Sequence, residues 1–168
     1  MSNFRIYVGT YGKYNEGSIA GKWIELDNLD EEEFKEAIKE LHKEEKDPEF
    51  MFQDSEVPAA FESLISESFI DENFWELKDW YNDQDQNTQD AFNAFVNVGH
   101  DPDPMRFEDA YVGWYESEAD FCELQAEELG ELHNVPDYIK CCIDWEQIWN
   151  SGMRYDYDFE DGYVFRSY

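Results

Sequence analysis

Positive charge is scarce in this chain: 12 Lys and Arg face 42 Asp and Glu, leaving a net charge of -30 over 168 residues. That balance repels nucleic acid and anionic membrane, so neither is expected as a partner, and a basic macromolecule is. Cysteine is equally sparse, with three residues. Cys141 and Cys142 are adjacent, and Cys122 forms no C-x-x-C with either. Neither a disulfide framework nor a zinc knuckle is indicated, and a reducing, cytoplasmic compartment is expected. No 18-residue apolar run occurs, and Met1–Thr10 has no apolar h-region, so no membrane span or secretory signal is expected.

Catalytic signatures are also missing. There is no G-x-S-x-G, P-loop, G-x-G-x-x-G or H-E-x-x-H, and His42, His100 and His133 read as surface or boundary residues. A calcium loop beginning Asp83, Asp85, Asn87 has Thr88 where Gly is needed and Ala94 where the bidentate Glu belongs. A second, beginning Asp156, Asp158, Glu160, has Asp161 and Ser167 at those places. With 42 carboxylates, a glycosidase-like pair occurs at every spacing and carries no information. No catalytic residue, metal or cofactor is expected, and the protein is not read as an enzyme.

What the chain does contain is aromatic mass: 6 Trp, 11 Tyr and 13 Phe. Each ring can bury roughly 150–250 Å², so this is a folding sequence in spite of its charge. Phe4–Val8 and Trp23–Leu26 read as two strands around a long Gly-rich turn, Gly9–Gly21. From Asp30 to Lys43, Phe34, Ala37, Ile38 and Leu41 predict a helix, and Phe50–Gln53 a third strand. Residues 61–98 carry a helical period broken at Asn82–Asn87, which predicts three or four short helices. Gly99–Pro104, with two prolines and no apolar residue, is the expected boundary.

A strand is then expected at Tyr111–Tyr115, followed by a helix capped at Ser117 with Asp120 three residues on and ended by Gly130. Pro136 opens a short helix, Asp144 caps another through Gln147, and Asp161-Gly162 marks a hairpin. The fold class is α+β, divided as 1–61 (α+β), 62–104 (helical) and 105–168 (α+β), with a heavily acidic surface.

These segments carry charges of -8, -10 and -12, so the acid is no detachable tail. On the helix near Asp30, however, Glu31, Lys35, Lys39 and Lys43 form a row beside Glu32, Glu36, Glu40 and Glu44, and the charges largely compensate. Between Arg106 and Lys140 lie 33 residues without a base. They contain Glu108, Asp109, Glu116, Glu118, Asp120, Glu123, Glu127, Glu128, Glu131 and Asp137. These ten, with Asp71, Glu72, Asp79, Asp83, Asp85 and Asp90 of the middle segment, are the candidate target-binding residues. Duplex DNA carries one charge per roughly 1.7 Å of axis, so net -30 corresponds to roughly 50 Å of duplex and 42 carboxylates to roughly 70 Å.

Ile6-Tyr7-Val8, Tyr14-Asn15-Glu16-Gly17, Gly21-Lys22-Trp23 and Phe52–Pro58 resemble the N-terminal part of the ArdA antirestriction proteins. Tyr111-Val112-Gly113, Glu116–Phe121, Glu127–Gly130 and Ile143–Glu146 resemble the C-terminal part. The resemblance implies an elongated, curved, three-domain DNA mimic that dimerises and occupies the DNA groove of type I restriction-modification enzymes, sparing incoming mobile DNA. Trp145, Trp149 and Tyr155 are candidates for the dimer interface or, alternatively, for the core. The alternative function is an acidic, immunity-type inhibitor of a basic nuclease or another DNA-binding protein.

Overall fold

Alternating apolar residues and capped helices produce two small antiparallel sheets, one in each half of the chain, each with helices of its own. The computed structural model describes residues 4–167; Met1–Asn3, the start of the segment read for a secretory signal, lie outside the described residues. The architecture is mixed α+β. Two compact units divide the chain between Gln89 and Asp90.

In the first unit, β1 (Arg5–Thr10) lies between β2 (Lys22–Glu25) and β3 (Phe50–Glu56). Ile6 and Val8 point into the core at full burial, while Arg5 and Tyr7 alternate to the other face. A bulge between Tyr7 and Val8 shifts the β1–β3 register. The glycine-rich stretch after β1 is not a bare turn: it contains α1 (Tyr11–Asn15), capped by the Thr10 hydroxyl, which accepts from the Lys13 amide. α2 (Glu31–Leu41) starts at a capping box formed by Asp30 and Glu33 and buries Phe34 and Ile38. A 3-10 helix at Ala59–Leu64 precedes α3 (Asn73–Asn82), where the period alone suggested α-helix. Phe61 packs edge-on against Phe4 (4.7 Å between centroids), Phe74 (5.5 Å) and Tyr81 (5.3 Å), which fixes the core.

Three polar side chains are buried in this unit: Thr10, which caps α1, Lys78 and His42. Lys78 is 2 % exposed; its ammonium donates to the carbonyls of Leu26 (2.9 Å) and Leu29 (2.7 Å), so α3 clamps the turn that leads into α2. His42, read from the sequence as a surface or boundary residue, is 2 % exposed. It follows Leu41 at the end of α2, where the ring packs near Phe50, and its Nδ1 faces the Lys13 ammonium at 3.2 Å. Nδ1 also lies 3.5 Å from a Glu45 carboxylate oxygen, and among the described residues the buried Nε2 has no hydrogen-bond partner.

α4 (Gln86–Asn97) runs from the first unit into the second, where α5 (Pro104–Ala110) starts at an Asp103 cap with Pro104 at its first position. Gly99–Pro104, read as the boundary, falls within the second unit. There His100 stacks on Phe95 at 4.3 Å, and its Nε2 lies 3.1 Å from Asp158. The second sheet has the order β4 (Tyr111–Trp114), β6 (Tyr163–Arg166), β5 (Tyr157–Glu160). Asp161 and Gly162 both have positive φ, the type I′ pattern that Asp-Gly favours in a two-residue hairpin. A Cβ at Gly162 would meet Trp114 Nε1 at 2.3 Å, so glycine is needed there for space as well. Phe121 anchors the core with Cys122, Trp149 and Val164. Burial pushes the Cys122 thiol up to about 11, so it is a core group and not a nucleophile.

Candidate target-binding surface

The base-free stretch folds mainly onto α6 (Glu118–Glu128) and the segments on either side. Ser117 caps the helix by accepting from the Asp120 amide at 3.1 Å. The Asp120 carboxylate reaches back to the Glu116 amide, not to that of Ser117, at 3.3 Å. Gly130, at φ 73°, ends the helix in a Schellman motif: its amide donates to Glu127 and that of Glu131 to Ala126, each at 3.0 Å. Phe121, Cys122 and Ala126 face the core. Glu123 and Glu127 therefore lie on the exposed side, one turn and about 6 Å apart along the axis.

Fourteen of the sixteen candidate carboxylates are exposed; Asp71 and Asp120 are half-buried. Three are capping groups. Besides Asp120, the Asp71 carboxylate accepts from the Asn73 amide (2.9 Å) and Asp85 from the Thr88 amide (2.8 Å). The backbone amide of Thr88 holds the Asp85 carboxyl below its ordinary value. The Asp83–Asn87 run is thus the junction between α3 and α4, with Asp85 turned to an amide.

Cations are few around the rest. Asp137 lies 3.8 Å from Lys140, and Arg166 donates to the Asp109 backbone carbonyl at 3.1 Å. Among the described residues, Glu116, Glu118, Glu123, Glu127, Glu128 and Glu131 have no salt-bridge partner within 4.0 Å. The field of these acids is felt inside the unit. Burial first, then the charges of Glu128 and Asp120, raise the Tyr115 hydroxyl above its ordinary value. α2 behaves differently: Lys35 bridges Glu31 (2.7 Å) and Glu32 (3.2 Å), and Lys43 pairs with Glu40.

Sequence reasoning passed over Glu62, Glu67 and Glu76, which are as exposed as the acids it named. Nothing but charge distinguishes them in the sequence. The three capping carboxylates were legible in principle, since each stands two or three residues ahead of the amide it binds or answers a Ser cap. Of the aromatic candidates, Trp149 is buried at 6 % and belongs to the core, Trp145 packs partly against it, and Tyr155 stands 72 % exposed.

Glu116, Glu118, Glu123, Glu127, Glu128 and Glu131 give α6 and its flanks a largely anionic exposed face, on which Leu124 and Leu129 also stand in solvent. Among the described residues no group of three or more His, Cys, Asp and Glu side chains is placed to hold a metal ion, and no helix is long and apolar enough to cross a membrane. The class so defined is a mixed α+β protein with a run of exposed carboxylates on α6 and its flanks that have no salt-bridge partner among the described residues. Comparison with known families makes the assignment particular. The family model described as Antirestriction protein (ArdA) matches residues 6–165, nearly the whole chain, and the chain belongs to that family. No curated protein matches it.

Proposed function

We infer that the protein is a non-enzymatic decoy of duplex DNA that competes for the DNA-binding groove of a type I restriction-modification enzyme. The observation that carries this reading is the exposed row on α6 and its flanks, where Glu116, Glu118, Glu123, Glu127 and Glu128 stand free of cations from the described chain. A Lys- and Arg-lined groove evolved for phosphates meets the same charge there, and phosphate charge carries no base sequence. One protein therefore serves against enzymes with unrelated recognition sites. The three sequence segments, 1–61, 62–104 and 105–168, each contribute net negative charge to the decoy.

Two copies would extend the charged path beyond the roughly 50–70 Å of one chain. The last segment leaves Leu129 (65 % exposed), Tyr138 (73 %) and Tyr155 in solvent, which favours a homodimer formed there. Competition titrations with duplex DNA at several salt concentrations test the decoy. Inhibition should be competitive and should weaken as salt rises, because the attraction is screened. Simultaneous occupancy of one groove by DNA and protein contradicts the decoy, and inhibition of a single nuclease alone supports the immunity-type alternative. Sedimentation of a monomer at working concentration contradicts the dimer.

A further inference from the structure

The open face of the first sheet combines rings with carboxylates. Across one register row, Trp23 on β2 stands opposite Tyr7 on β1, and Tyr7 opposite Asp54 on β3, so the three share a face. The neighbouring row on the same face is Glu25, Arg5 and Glu56. In that row Arg5 is held by Glu56 (Nε to Oε2 2.6 Å), and its guanidinium lies 4.6 Å from the centroid of the Trp23 ring. The sheet thus already binds one guanidinium by a carboxylate and an aromatic face together.

Beside it lies a cleft of about 740 Å³, in the size range of small-ligand sites. Tyr7, Tyr14, Ile19, Trp23, Asp54 and Glu67 are among its lining residues, and among the described residues no Lys, Arg or His lines it. Its walls are fixed: the Tyr7 hydroxyl donates to the Ile19 carbonyl (3.3 Å) and accepts from the Gly21 amide (3.1 Å). On the other side the Glu67 carbonyl accepts from the Phe52 amide at 2.7 Å, which ties that loop to β3. Tyr7 and Trp23 meet edge to face at 5.5 Å.

We propose that this cleft seats an arginine side chain of the protein to which the chain binds, the guanidinium lying against Tyr7, Tyr14 and Trp23 and answered by Asp54 and Glu67. The inference deepens the decoy reading and rests on it for the identity of the partner, a protein rich in exposed Arg. Charge selects a cation, because the charged side chains lining the cleft, Asp54 and Glu67, are both carboxylates, and Gln53, Ser55 and Ser66 add only neutral polar groups. The rings select guanidinium over ammonium, since guanidinium is planar, stacks on aromatic faces and is more weakly hydrated. Phosphate imitation by carboxylates alone would make no use of the rings.

The first test needs no enzyme. The full-length 15N-labelled chain is titrated with N-acetyl-arginine methylamide and, separately, with the neutral N-acetyl-citrulline and the cationic N-acetyl-lysine methylamides. The expected result is saturable shifts of the Trp23 indole N–H and the Tyr7 and Asp54 amides with the arginine probe. Tyr14→Ala, at a side chain half in solvent, and Asp54→Asn should each weaken binding by about two- to fivefold. Equal response to citrulline or lysine overturns the proposal, as do shifts no larger here than at Glu123 and Glu127. The second arm asks whether the wild type and the Tyr14→Ala/Asp54→Asn variant displace DNA from the target. A wild type that fails to displace DNA overturns the decoy reading, while the titration still decides the cleft. A wild type and variant that displace DNA equally well overturn the cleft's role.

Discussion

The two units carry the same net charge by different routes: the first has 23 carboxylates and 8 bases, the second 19 and 4, so each stands at -15. In the first, the cations are spent locally. Lys35 pairs with Glu31 and Glu32 on α2, Lys43 just beyond its end pairs with Glu40, Arg5 is tied to Glu56, and Lys78 is buried on two carbonyls. In the second, the longest base-free stretch turns its acids outward on α6. On the proposed decoy reading, the placement of the few cations, and not net charge, decides where a basic partner lands.

The largest effect that can break this contrast comes from the core that holds α6. Phe121 is fully buried and packs edge-on to Tyr115 (5.0 Å) and Tyr157 (4.9 Å). Phe121→Ala should cost about 3–5 kcal/mol in denaturant unfolding and abolish inhibition with it. A loss well under about 1 kcal/mol would mean that α6 is held by something else.

Lys78→Met is the next in size. It keeps the stem and removes the donor, leaving the Leu26 and Leu29 carbonyls unanswered, and should cost about 1–3 kcal/mol by thermal or chemical unfolding. Unchanged stability would show that this buried cation is no clamp.

A smaller effect is pH-dependent. Burial pushes the Glu45 carboxyl up, but hydrogen bonds from Thr10 and Lys13 outweigh it and leave the folded value below the ordinary one. Its stabilising contribution is then complete above the ordinary carboxylate range and is lost as pH falls through the lower folded value. The gap in melting temperature between wild type and Glu45→Gln should be widest near neutrality and close in acid. A gap that widens in acid has the wrong sign for this account. Smallest of all are the exposed pairs of α2 and the residues just after it: Lys35→Gln and Lys43→Gln should each leave stability unchanged within the resolution of denaturation. A clear loss from either would show that these pairs hold the helix, and not only cancel its charge.

Much of this division was legible in the residues. The caps at Ser117 and Asp144, the Gly130 stop and the Asp161-Gly162 hairpin all lie where local chemistry puts them, because each depends only on neighbours in sequence. The alternation of Glu and Lys along α2 likewise foretold its ion pairs. What escaped was long-range. His42 looked solvated until Phe50 and Lys13 closed over it, and α1 was hidden by Gly12 inside a glycine-rich stretch. The cleft was invisible for the same reason: Tyr7, Trp23 and Asp54 meet only when three strands come into register.

The central claim, that the outward acids of α6 and not those of α2 make the decoy, is tested most directly by two grouped variants compared in one DNA-competition assay. One replaces Glu116, Glu118, Glu123 and Glu127 with Gln, sparing the capping Asp120; the other replaces Glu31, Glu32, Glu36 and Glu40, sparing the capping-box Glu33. With both folded by circular dichroism, the first should weaken inhibition by about tenfold or more and the second by no more than about threefold, single exposed charges being worth little and four together being felt. Equal losses, or a loss confined to the α2 variant, would contradict the account.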